Sequence, residues 1–553
     1  MERAEVLRHA VEAADESGEL ELGMALAAEA LDSIDGCRAP VLAAEVYERR
    51  ARMRRKLGRE GAQDDLRAAL QVVPADPPSA IRARLLGYLA HRLMVEADRS
   101  QALAVAQQAE ALADLVGDAY AKAHAITTRA GLSGEAEETN TVRAAYARAR
   151  ELAAATSAPM LTVRAFIEES DALEGRGEHE LAAESARAGL SRAREVGLAR
   201  TLGVRLATNL AEPLISLGRW DEALEVIEHG IELDPPPGYL APLYRHRGGV
   251  MLARGLLADA TRALDAIEAL HAKFDTPMDY FPQACFAAEM LLAQDRPADS
   301  AAVIARALDT YDPHRAPRYA WPLLVTGARA GRALTLRSRL FTEAGPHGTV
   351  LEGRLRRYLG ALAADSRVQR AYRATVAAEL ADAAEAAAGE EELAAWQHTA
   401  QPYPLAQALL RSAEHAAAAG DRRTAGERLC RCIALATQLQ AAPLVQDAQH
   451  LARRTRITVP EQDTAPPAIS PSDALGLTPR EREVLSLLAA GRTNRQIAQE
   501  LFISVKTASV HVSRILTKLG AANRLEAAAT AHRLRLLHDT ADTVHHPVPG
   551  AEP

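Results

Sequence analysis

The sequence predicts an all-α protein: a long array of helical repeats followed by a small four-helix domain. Three observations carry this. Aromatic residues are 4% of the chain, and the apolar share is dominated by Ala and Leu. Ala, Leu, Arg and Glu favour helix, and a large sheet would need more aromatic and β-branched residues. A Gly-turn pattern with small residues at fixed offsets returns roughly every 40 residues. After a proline-rich break, four short amphipathic segments follow with clear start and stop residues. The 553 residues are enough for about three to five domains, or for one repeat array plus a module.

The clearest repeat runs from Leu206 to Pro235. Leu210, Leu214, Gly218, Trp220, Ala223, Gly230, Asp234 and Pro235 stand where a helix–turn–helix unit needs them. Gly218 ends the first helix, Pro235 stops the second, and Ala223 and Gly230 let neighbouring helices approach. The same pattern returns at Gly177/Ala182/Gly189, at Gly255/Ala260 and at Asp295/Ser300/Ala307. Further copies fit Gly420/Ala425/Cys432 and Gly18/Gly23/Ala30. Steps between Ala182, Ala223, Ala260 and Ser300 are 41, 37 and 40 residues. The array resembles a tetratricopeptide-type solenoid with longer units. Residues 120–150 and 330–390 cannot be phased from sequence. Each pair buries its apolar face only against its neighbours, so a curved stack is expected. Such a surface is expected to sense or dock a small molecule or protein; a passive scaffold is the alternative.

Four regions are expected: repeats over 1–455, a Pro-rich linker over 456–474 with Pro460, Pro466, Pro467 and Pro471, a basic helical domain over 475–538, and a loose tail over 539–553. Net charge is −8 overall, yet residues 473–538 hold ten Lys and Arg against five Asp and Glu, a net +5 that leaves −13 elsewhere. Only the small domain is therefore expected to meet a polyanion. No apolar run of about 18 residues predicts a membrane span. The N-terminus lacks the apolar segment of a secretory signal. The four cysteines are too scattered for a disulfide framework, so a cytoplasmic, reduced protein is expected.

Punctuation in the basic domain is dense. Thr478-Pro479-Arg480-Glu481 has the form of a capping box with Pro at the first helical position. A first helix buries Val484, Leu485 and Leu488 and ends at Gly491. Thr493 to Gln496 forms a second capping box, and the second helix buries Ile497, Ala498 and Leu501. Phe502 and Ile503 turn the chain, and Ser504 caps a third helix that stops at Gly520. Val505, Ala508, Val512, Ile515, Leu516 and Leu519 form its apolar stripe. It carries no acid from Val505 to Leu519. Asn523 caps a fourth helix. A short helix, a tight turn and a longer acid-free helix make a helix-turn-helix, whose second member fits a DNA major groove.

The stretches LTPRExEVL, GxTNxxIAxxLxIS, KTxxxHxxxIxxKL and NRxEA resemble the LuxR/GerE-type DNA-binding domain of bacterial transcription regulators. The resemblance implies a regulator, an activator rather than a repressor, whose partners are duplex DNA and RNA polymerase. It places Ser509, Val510 and Ser513 at base edges. Lys506, Thr507, His511, Arg514 and Lys518 are implied at phosphates, with Asn494 and Arg495 on the backbone at the start of the second helix. Family members usually have Val where Ala508 stands. The fourth helix is implied to make a two-fold contact through Leu525, Ala528, Ala529 and Leu536, giving a homodimer on DNA; closing the four-helix core is the alternative role.

A repeat body with this domain at its C-terminal end is also similar to the LAL or MalT-like group. Those regulators carry a Walker A loop. No Gly-Lys pair occurs here, so no ATP hydrolysis and no cofactor are expected. A shorter relative and a truncated, ATP-independent form both fit that departure. No catalytic constellation and no metal site are expected either. Cys430 and Cys432 lie two apart on one helix, and His545-His546 has no cage around it. Trp220, Trp321 and Trp396 are expected in the repeat core. Pro242, Pro282 and Pro322 are expected to mark helix starts, and Glu390–Glu392 a solvated face.

Overall fold

The computed structural model describes residues 2–17, 19–36, 38–57, 59–95, 98–133, 137–270, 274, 276–341, 347–381, 386–459, 479–501, 505–519, 521 and 523–533. Among these there is helix and no strand. The chain forms two compact units, residues 1–459 and 460–553.

The first unit is an array of helical pairs. One of them shows how it is built. Helix Val204–Ser216 ends with Gly218 at φ +76°, and helix Trp220–Glu232 follows. Gly218 N–H donates to Ile215 O at 3.0 Å and Arg219 N–H to Leu214 O at 2.8 Å. These two bonds satisfy carbonyls that the helix end leaves open, and the left-handed backbone between them suits glycine. The same closure recurs at Gly177, Gly255, Asp295 and Gly420, all with positive φ. Every expected repeat is thus a helical pair, and only Gly18 of those positions lies outside the described residues. The small residues sit where helices touch. A Cβ on Gly189 would come within 2.7 Å of Phe166 Cβ and 2.8 Å of Leu206 Cδ2.

The two stretches that resist phasing are helical pairs as well. Residues 120–150 fall in Ala119–Gly131 and Thr139–Ala155. Residues 330–390 fall in Pro317–Phe341, His347–Ala361, Arg367–Leu380 and Ala386–Gln397. In the second stretch the register is lost in sequence because Pro317–Phe341 is 25 residues long.

Two expectations are corrected. Pro242, Pro282 and Pro322 do not start helices; they lie inside Pro237–Ala253, Pro277–Ala293 and Pro317–Phe341. The starts are Pro237, Pro277 and Pro317, where a missing N–H costs nothing. Gly238, whose carbonyl Pro242 leaves without a helical donor, is exposed to water. Glu392 is not on a solvated face: its side chain is 1% exposed and pairs with Arg411. Glu390 and Glu391 are exposed. Trp220, Trp321 and Trp396 are buried core residues, Cys432 is buried and Cys430 half-buried.

First helices of successive pairs pack side by side from Ala80–Val95 to Arg367–Leu380. The array winds back on itself, because Trp220 stacks edge-on to Tyr403 with centroids 5.3 Å apart. A Cβ on Gly218 would meet Pro402 Cγ at 2.6 Å and Leu439 Cδ2 at 2.8 Å. Gly218→Ala therefore combines a left-handed backbone with a clash between turns. It is expected to cost about 2 kcal/mol or more, read as faster hydrogen exchange in helix Pro402–Ala418.

The second unit holds helices Pro479–Ala489, Asn494–Glu500, Val505–Leu519 and Arg524–Arg533. Val484, Leu485, Leu488, Ile497, Ala498, Ala508, Val512, Ile515, Ala527 and Ala531 form its core. Val505 departs from the expected stripe: it is 50% exposed, since it opens the helix beyond the reach of the core. Leu501, Leu516 and Leu519 pack half-buried on that core. Thr478, Phe502, Ile503, Ser504 and Gly520 lie outside the described residues. No described helix is long and apolar enough to cross a membrane, and the described residues hold no cluster of three or more metal-ligating side chains.

Candidate nucleic-acid interface

The helix-turn-helix is built from local closures. Gly491, at φ +80°, ends the first helix; Arg492 N–H donates to Leu487 O and Gly491 N–H to Leu488 O, both at 3.0 Å. Thr493 then caps the second helix in a full capping box. Gln496 N–H donates to Thr493 Oγ1 at 3.3 Å, and Thr493 N–H to Gln496 Oε1 at 2.9 Å. Asn523 Oδ1 accepts from the N–H groups of Leu525 (3.1 Å) and Glu526 (3.0 Å), starting the fourth helix. Arg524 donates to the Arg492 carbonyl, tying that helix to the first turn.

The third helix, Val505–Leu519, presents an outer face. Val510 is 43% exposed, and Ser513 and Arg514 are exposed beside it at three- and four-residue spacing. Ser513 Oγ donates to Ser509 O at 3.0 Å. Ser509 is half-buried, and its hydroxyl accepts from Asn494 Nδ2 at 3.0 Å. Asn494 therefore joins the start of the second helix to the third. Arg495, next to it, is exposed. The side chains of Lys506 and Thr507, on the first turn of the third helix, lie outside the described ones.

Two residues implied at phosphates have other surroundings in the domain. His511 is 4% exposed, because it points from the helix into the domain. Lys518 Nζ is 2.6 Å from Glu481 Oε2, whose side chain is 3% exposed. A buried carboxylate needs a cation nearby, and Lys518 serves that need. The sequence contains both residues but nothing in their spacing of 37 links them.

The fourth helix divides its alanines. Ala527 and Ala531 are fully buried and close the core, and Ala528 packs half-buried against it. Ala529 is exposed, and Leu525, four residues before it, is 79% exposed. Leu536 lies outside the described residues.

A capped short helix followed closely in sequence by a longer acid-free helix with an outward polar face is the pattern of a helix-turn-helix DNA-binding domain. Residues 475–531 match the model of the family described as bacterial regulatory proteins, luxR family. These residues form a DNA-binding domain of that family. The transcriptional regulatory protein LiaR of Bacillus subtilis is 48% identical over 62 residues, 11% of this chain and 29% of LiaR. The DNA-binding transcriptional activator DevR/DosR of Mycobacterium tuberculosis is 48% identical over 60 residues, 11% of this chain and 28% of that protein. The chain thus spans less than a third of the length of these relatives. Among solved structures, a Rap protein complexed with competence and sporulation factor covers 60% of this chain and all of its own, at 14% identity and a TM-score of 0.37.

Proposed function

We propose that the chain is a cytoplasmic transcriptional regulator that activates the promoters it binds, works as a homodimer on DNA, and is controlled by an effector or protein partner held by its helical repeats. The observation that carries this is the luxR-family domain with its outward face of Val510, Ser513 and Arg514. A basic domain on an acidic chain confines polyanion binding to that domain. Leu525 and Ala529 offer an apolar strip for a two-fold contact, which sets two half-sites about one helical turn apart. RNA polymerase is the partner an activator needs. No step in this reading requires catalysis.

The roles separate in a binding experiment on sequences selected from random duplexes by the full chain. Arg495→Ala and Lys506→Ala are expected to weaken all sequences alike and to reduce the salt slope by about one each. Val510→Ala and Ser513→Ala are expected to change preference at one or two base pairs by about 1–3 kcal/mol and to leave the slope alone. Failure to enrich any sequence at low salt would overturn the regulator reading. Identical behaviour of both classes would overturn the residue roles.

A further inference from the structure

Helix His347–Ala361 turns Leu351 and Leu355 into the core of the array. Arg354, Arg357, Tyr358 and Ala361 are spaced by three, four and seven residues from the first, so they share a stripe beside that buried edge. The stripe lines a cleft of about 450 Å³, and His314, on the short turn Pro313–Arg315, lines it too. Asp312 fixes that turn: its Oδ1 accepts from the His314 N–H at 3.0 Å. The His314 and Tyr358 rings stand 6.1 Å apart at 53°, so neither covers the face of the other. Arg354 and Tyr358 are half-buried, and His314, Arg357 and Ala361 are exposed.

The charge of this cleft is the reverse of its surroundings. The chain outside residues 473–538 carries a net −13, yet the described residues lining the cleft include two guanidiniums, an imidazole and no carboxylate. Arg354 Nη1 lies 2.9 Å from Asp309 Oδ1, which anchors that side chain to helix Pro297–Thr310. Arg356, outside the cleft, is held by Glu352 Oε1 at 2.9 Å and by the Leu380 carbonyl at 2.8 Å. Arg357 has no carboxylate partner among the described residues. Like charges one turn apart on a helix repel, so Arg354 and Arg357 stand together at a cost that an anion between them removes.

The volume falls within the roughly 300–1,000 Å³ of small-molecule sites, so a fitting guest has a body as well as a charge. Two guanidiniums and an imidazole with no acid beside them suit a dianion better than a singly charged carboxylate. The planar fork of arginine matches phosphate oxygens through parallel bonds. The open ring faces of Tyr358 and His314 offer apolar area to the body. We propose that this cleft binds a small organic phosphate monoester, with its phosphoryl group at Arg354 and Arg357 and its body against Tyr358. This rests on the reading of the repeats as the effector-binding region, and names the chemistry of the effector.

The test uses the full chain. Probes are phenyl phosphate, ribose 5-phosphate, inorganic phosphate, benzoate and a phosphoserine peptide. Calorimetry and thermal shift read binding, and DNA affinity is measured alongside. Phenyl phosphate or ribose 5-phosphate is expected to bind and raise the melting temperature, with inorganic phosphate and benzoate weaker by roughly ten-fold or more. Arg357→Gln, at an exposed position without a carboxylate partner, keeps the fold and is expected to weaken that binding by roughly 10- to 100-fold. Arg356→Gln is expected to leave it unchanged. The Arg357 variant also separates the cleft from the basic DNA-binding domain, which attracts phosphates of its own. Unchanged binding of the phosphate ester in Arg357→Gln overturns the inference. Equal binding of inorganic phosphate, or a response to the peptide alone, overturns it too. Lack of binding by both organic phosphates at millimolar concentration, with DNA binding intact, overturns it and spares the regulator. Failure of the wild-type chain to bind any duplex overturns the regulator reading itself.

Discussion

Arg411→Ala is expected to destabilise the helices around residues 367–418 by about 3–5 kcal/mol, the range for stripping a buried pair of one partner. Arg411, whose side chain is 9% exposed, donates from Nε to Glu392 Oε2 at 2.7 Å and from Nη2 to Glu392 Oε1 at 3.2 Å, and also contacts Glu379. Glu392 and Glu379 are 1% and 3% exposed. After the substitution Glu379 keeps Arg329 and Arg332. Glu392 loses its charged partner, so the cost falls on helix Ala386–Gln397. Hydrogen exchange reads the loss there directly, which matters in an array that opens locally. Adding Glu392→Leu to Arg411→Met is expected to recover much of it, because neither charge is then left alone.

The same cluster sets an acid limit. Burial raises the Glu379 carboxyl, but Arg411, Arg329 and Arg332 outweigh that and hold it below its ordinary value. A depressed carboxyl contributes stability above the unfolded value, and that contribution is lost as pH falls through the lower folded value. The wild-type array is therefore expected to keep this contribution at pH values where exposed carboxylates are already protonated. Arg411→Ala removes one of the three cations and moves the acid transition to higher pH. Melting temperature against pH, in wild type and variant, checks the direction.

What sequence discloses and what it hides follow one rule. Features fixed by near neighbours are legible: the turn at Gly218, the capping box from Thr493 to Gln496 and the stripe from Ala508 to Ile515 all involve residues within one or two helical turns. Features fixed by packing across the array are not. Glu392 reads as part of an acidic run, yet Arg411 reaches it from the next helix. Pro237 and Pro242 are equally plausible helix starts on composition, and only the observed helix decides between them. In the DNA-binding domain the helices and the exposed side of the third one follow from pattern and resemblance. The buried His511 and the pairing of Lys518 with Glu481 do not, because a polar side chain beside an apolar stripe gives no sign of which way it turns.

Lys518 supplies the sharpest test of that difference. As a phosphate contact, its loss would leave the domain folded and lower the salt slope by about one. As a counter-ion of Glu481, its loss takes the ammonium away from a carboxylate that is 3% exposed. Lys518→Met is then expected to cost about 2–3 kcal/mol, below the fully buried range because Lys518 is itself 32% exposed. A four-helix module of this size has only a few kcal/mol in hand, so DNA affinity falls with the folded fraction at every salt concentration. The salt slope of the folded fraction stays unchanged. Glu481→Leu combined with Lys518→Met removes both charges and is expected to restore much of the folding and the binding together. Arg514→Ala, on the outer face, is expected to do the reverse: full protection of residues 479–533 in hydrogen exchange, with a shallower salt slope. A Lys518→Met chain that keeps full protection and loses one unit of slope would return Lys518 to the DNA.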